Sequence, residues 1–305
     1  ILIGISRERF FDIIKKGVFE DIKMIKILKD SWGLTKNNLV LAYPLIFFFW
    51  IITMLLPAVS GAEIRSLKFG IIFANIIGLV VVFWSGWFEM FAKIAVSYKQ
   101  DNKTAEKKEY SFALMKEFLP GVGKNFLSYL GGLFLYFLLF CLIFLLAGLL
   151  GVKLFGVPQV PENLMAVFSD KQALYKFLSS LSETDKLIYL KWNMLTVSAG
   201  AFFSLITMLW APMIALCTLN PLKAFFLNLK LMLKKPLQVI LLYLIYLGAN
   251  MILSLISSVA GSNLLLQLIA ITVMFLFILY YLMLLFVFVE ENNESSCDSR
   301  FDCVG

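Results

Sequence analysis

Six runs of apolar residues, at 39–58, 70–92, 126–150, 192–219, 237–259 and 264–289, each continue for about twenty residues or more. A helix rises about 1.5 Å per residue, so about twenty residues cover the roughly 30 Å hydrocarbon core of a bilayer. In lipid a segment must satisfy its own backbone polar groups, and runs of this length predict helices. The expected fold class is all-α: a polytopic membrane bundle of six transmembrane helices in three pairs. A content of 61% hydrophobic and 15% charged residues lies far from the soluble norm of about 25% charged.

The runs divide the chain into an amphipathic segment 1–38, a six-span membrane domain 39–289 and a short acidic tail 290–305. In the first segment Phe11, Ile14, Val18, Ile22, Ile25, Leu28 and Trp32 recur every three or four residues, which makes one apolar helical face. Such a helix either lies in the lipid interface or docks on the end of the bundle. Ile1–Ile5 is too short for a signal-peptide core, so membrane entry is expected to fall to the first span. Two further amphipathic segments are expected, one ended by Pro120 and Gly121, the other opened by the cap Asn220-Pro221 and ended before Pro236. Pro44 and Pro212 fall inside spans one and four, where each predicts a kink. The sizeable loop 151–190 carries capping patterns at Ser169–Gln172 and Ser182–Asp185, which predict a short helix and the entry to span four.

Twenty of the 27 Lys and Arg fall beside the N-terminal segment, the second and fourth connections and the tail. The positive-inside rule then places both termini in the cytoplasm, the protein in the cell (inner) membrane, and the loop 151–190 outside. The net charge of +7 points to the anionic lipid surface as partner and not to nucleic acid, because most Lys stand beside spans without a base-stacking pattern.

Three junctions share an order of residues. Gly33–Leu39 precedes the first span, Gly121–Leu127 the third and Leu231–Leu237 the fifth, which aligns Lys36, Lys124 and Lys234, each followed by Leu39, Leu127 or Leu237. These three lysines are the expected lipid-surface contacts. With the stretch Leu28-Lys29-Asp30-Ser31-Trp32-Gly33-Leu34 and its counterpart Phe225–Lys235, the chain resembles a broad group of bacterial six-span membrane proteins of poorly defined function. That group includes the membrane region attached to some glycerophosphodiester phosphodiesterases. The resemblance implies a membrane-embedded or lipid-associated role, and it brings no catalytic residues.

Enzymatic chemistry is not expected. The chain has no His, which removes His-containing zinc sites, Ser-His and Cys-His pairs and imidazole relays. Cys141 and Cys217 lie in apolar runs, and Cys297 and Cys303 lack a second pair to complete a metal site. No phosphate-binding Gly loop or nucleophile elbow occurs, and no cofactor is expected.

Glu89 is the acid placed within a span, with Lys93 four residues on. The two fit an interfacial ion pair on one helix or, alternatively, a proton or transport path. Asn75, Asn193, Asn250 and Gln267 are expected to tie helices together or to line a polar cavity, and Trp84, Trp87, Trp192 and Trp210 to sit in aromatic belts. The expected function is handling or transport of lipid or another amphiphile. The alternative is a non-catalytic accessory subunit that binds a membrane protein partner.

Overall fold

The computed structural model describes residues 23–60, 67–100, 110–158, 171–261 and 263–292. The amphipathic pattern over 7–22, the cap at Ser169 and Asp170, and the tail beyond 292 with Cys297 and Cys303 lie outside the described residues. Among the described residues regular structure is helical throughout. In chain order the helices are α1 (Lys23–Asn37), α2 (Ala42–Ser60), α3 (Leu67–Gln100), α4 (Tyr110–Lys116), α5 (Phe118–Phe155), α6 (Lys171–Ser180), α7 (Glu183–Thr207), α8 (Trp210–Leu216), α9 (Pro221–Lys234), α10 (Pro236–Ala260) and α11 (Leu264–Asn292). Five candidate spans are long and apolar enough to cross a membrane, or six if the bent pair of α1 and the following helix counts as one. The protein is a multi-pass, all-α membrane protein. Its chain forms two compact units, 1–133 with 208–305, and 134–207.

In the first unit the chain bends by 73° between α1 and α2. The bend falls at Asn38, where a 3-10 turn over Leu39–Leu41 precedes α2. Pro44 accounts for the place: it has no N–H for the carbonyl of Val40, and its ring crowds that carbonyl. The expected kink is therefore a break six residues upstream, and Pro44 itself stands in the first turn of α2. Pro212 acts alike. It cannot donate to Met208, and the chain breaks at Met208 and Leu209 between α7 and α8.

That break frees α8 to become the centre of the first unit. All of its residues except Ala211 are buried, and it packs against α3, α9 and α11. Much of the remaining core comes from one end of the long helices: Val81, Phe91 and Ala95 of α3, and Leu279, Phe286 and Phe288 of α11. The opposite halves of α3 and α11 expose Ile71, Phe73, Leu264 and Leu268. Dense packing at the charged end and bare apolar surface beyond it suit helices that lipid covers over part of their length. At the far end α10 turns into α11 through Gly261, whose φ of 49° favours glycine. Asn263 caps α11 by accepting from Leu265 N and Leu266 N at 3.1 and 3.2 Å.

Two expectations about amphipathic segments change. Pro120 and Gly121 do not end a helix but lie in the first turn of α5, where a missing proline N–H removes no helical bond; the break comes earlier, at Glu117. In α1 the docked face is Met24, Ile27, Ser31, Leu34 and Thr35, while Ile25 and Trp32 of the expected apolar face remain exposed. The described part of α1 thus docks by one stripe and leaves another open.

The second unit joins the later part of α5 to α6 and α7. Tyr136 and Phe140 of α5 meet the ring of Phe203 on α7 at centroid distances of 4.6 and 5.5 Å. Nearer the loop, the Trp192 ring lies over Gly151, where any Cβ would stand 2.6 Å from it, and its indole N–H donates to Gly156 O at 3.1 Å. Ser182 Oγ accepts from Asp185 N at 3.1 Å, so the second capping pattern does open α7, nine residues before the expected start of span four. Helix α5 also outruns its expectation, to Phe155, and the connection between spans shrinks to 156–182.

Candidate functional site

Two acids are buried among the described residues, Glu89 on α3 and Glu290 on α11. Glu89 is 2% exposed, and both of its carboxylate oxygens are occupied by the second junction. Lys124 Nζ donates to Oε1 at 2.9 Å and Asn125 Nδ2 to Oε2 at 2.8 Å. Lys93, the neighbour in sequence, instead pairs with Glu117 at 2.8 Å. The expected Glu89–Lys93 pair is replaced by two inter-helix pairs about one turn apart.

Close backbone approach makes this pairing geometric. A Cβ on Gly86 would stand 2.8 Å from the Phe118 ring and carbonyl, and one on Gly121 would stand 2.6 Å from Glu89 Cβ. Glycines at both positions let α3 and the start of α5 come together. At that distance Lys124 and Asn125, three and four residues beyond Gly121, face the acid. A buried carboxylate held by an ammonium and an amide is paired and hydrogen-bonded, which meets the cost of its desolvation. Its chemistry as placed is that of a clamp, since each oxygen already accepts a bond.

The other polar residues of the spans do not converge. Asn75 Nδ2 and Asn250 Nδ2 each donate to a carbonyl of their own helix, Ile71 O and Tyr246 O, both at 2.8 Å, and both residues are exposed. Gln267 Nε2 donates to Gly261 O at 2.6 Å, closing the turn before α11, and Asn193 is exposed on α7. Interhelical ties are therefore not what Asn75, Asn250 and Gln267 make in these bonds. Trp87 and Trp210, expected in belts, are buried instead. Their indoles donate to Leu41 O at 2.9 Å and Pro221 O at 2.8 Å. All three junction lysines, Lys36, Lys124 and Lys234, are exposed, and Lys124 turns its ammonium to Glu89.

A second cluster, which the sequence did not single out, joins α1, the end of α3 and the end of α11. Lys99 pairs with the buried Glu290 at 3.2 Å, so the first residues of the expected acidic tail belong to α11, which carries Glu290 and Asn292 inward. Lys23 Nζ donates to Glu291 O at 3.0 Å, and Tyr98 OH donates to Asp30 Oδ2. Between these groups lies a cleft of about 230 Å³, with Lys23, Lys26, Asp30, Tyr98 and Glu291 around Ile27 and Val287. Its signal in the sequence was charge interleaved with apolar residues over 23–30 and the acids Glu290 and Glu291 after span six, segments that no local rule connects. Among the described residues no group of three or more His, Cys, Asp or Glu could hold a metal ion.

No family model, curated protein or solved structure matches the chain. The site itself therefore carries the functional reading.

Proposed function

We propose that this multi-pass membrane protein handles a lipid or another amphiphile, with the headgroup in the cleft between α1, α3 and α11. The observation that supports this is the composition of the cleft: two lysines and two carboxylates stand over the apolar Ile27 and Val287. Groups of both signs beside an apolar floor suit a headgroup that carries both charges and is attached to hydrocarbon. The exposed apolar surface of the spans offers the hydrocarbon a continuous environment. The role is one of binding and movement, without a catalytic step, in the cell inner membrane with both termini cytoplasmic.

The test is transbilayer movement of a fluorescent phosphatidylethanolamine in vesicles reconstituted with the full chain. Movement should exceed that in protein-free vesicles, and Lys26→Glu should cut the excess by about tenfold, as expected for loss of one charge-assisted bond. Movement equal to that of empty vesicles would sink the proposal.

One observation favours the alternative, an accessory subunit. The most apolar stretch of α5 is only 6% buried, which leaves a long lateral face for a membrane protein partner. A stoichiometric partner retained in mild detergent, together with no lipid movement, would shift the conclusion to that role.

A further inference from the structure

Helix α9 is held in the first unit from one side. Its cap Asn220 accepts from Leu222 N and Lys223 N at 3.0 and 3.1 Å, and Ala224, Asn228 and Leu231 form the buried face. At about 100° per residue, Leu222, Phe226 and Leu233 fall roughly opposite that face, and all three are exposed, Phe226 by 60% and Leu233 by 84%. Lys223, Lys230 and Lys234 fall roughly a quarter-turn to one side of the ridge and are exposed too.

Neither water nor hydrocarbon alone suits this surface. A helix facing water does not turn an apolar ridge away from its own core, and one sunk in hydrocarbon does not carry three lysines. The boundary between the two suits both features, with the ridge among the acyl chains and the ammonium groups among the headgroups. No Asp or Glu occurs in the stretch between Asp185 and Glu290 that contains α9. The ion pairs among the described residues engage Lys23, Lys93, Lys99, Lys124 and Lys186, and none of these three.

We infer that α9 is a membrane-surface foot that selects anionic lipid headgroups, its lysine edge holding their phosphates while Phe226 and Leu233 anchor it in the leaflet. This surface is separate from the cleft and stands whether or not the cleft takes a headgroup.

The experiment places a photoreactive benzoylphenylalanine at Phe226 in the full chain, in nanodiscs of phosphatidylglycerol and phosphatidylcholine at equal amounts. The same group at Phe137, an exposed position on α5, reports the bulk ratio. Adducts at Phe226 should favour phosphatidylglycerol by about fivefold or more over those at Phe137, fivefold being the attraction of a single lysine to an anionic surface. The triple change Lys223→Gln, Lys230→Gln and Lys234→Gln should return the ratio to that at Phe137, and the triple change to Arg should keep the preference. High salt should weaken it. A wild-type ratio at Phe226 equal to that at Phe137, an unchanged ratio in the Gln variant, or an absence of lipid adducts at Phe226 would each overturn the inference.

Discussion

The second and third junctions carry the same pair of residues and use it differently. Leu127 and Leu237 are alike, 79% and 77% exposed, and each stands three residues after a lysine. Both lysines are exposed, but Lys124 answers the buried Glu89, while no ion pair among the described residues engages Lys234. The difference lies in where the helix breaks. At the third junction the break follows the lysine, at Lys235, and Pro236 starts a new helix. At the second it comes about two turns earlier, at Glu117. Lys124 is thereby carried inside α5, beside α3, whereas Lys234 ends a separate helix. The same short pattern thus serves an internal clamp in one place and an outer surface in the other.

The largest expected effect tests the clamp. Lys124→Met strands a buried carboxylate and should lower stability by about 3 kcal/mol, read as an earlier midpoint in detergent unfolding. Adding Glu89→Leu to it should recover most of the loss, because an apolar pair of similar volume needs no counter-charge. A double variant as unstable as the single one would show that the ion pair is not the source.

Next in size is the contact that brings the helices together. Gly121→Val places a Cβ 2.6 Å from Glu89 Cβ and should cost about 1–3 kcal/mol by overpacking. A Cβ on Gly123, in the same junction, would meet nothing within 4 Å, so Gly123→Ala should gain up to about 1 kcal/mol of helix propensity. If both glycine changes were equally tolerated, the close approach of α3 and α5 would be wrong.

At the third junction the effects shrink. Asn220→Ala removes the cap of α9 and should cost about 1 kcal/mol, seen as a lower melting temperature. Lys234→Met should leave stability within about 0.5 kcal/mol, since no ion pair among the described residues engages it. A loss there as large as that at Lys124 would erase the distinction between the junctions.

Much of the architecture was legible in the residues. Span length, the helical class, the cap at Asn220 and the proximity of breaks to Pro44 and Pro212 each depend on a few neighbouring residues. Hydrophobic length, backbone N–H supply and helix capping are local properties, and a linear chain displays them directly. The pairing of side chains was not legible. Lys93 stands one turn from Glu89 in sequence, yet the partner lies 35 residues away.

The chain by itself determined that it crosses lipid as helices, since any contiguous apolar stretch of sufficient length must close its own backbone hydrogen bonds there. Only the tertiary structure decided which charges face one another. Helix crossings at Gly86 and Gly121 set distances between segments remote in sequence, and over a few ångströms those distances determine whether a lysine neutralises a buried acid or remains at the surface. The same holds for Trp87 and Trp210: their residue type permits a membrane belt, but a carbonyl acceptor within reach puts them in the core.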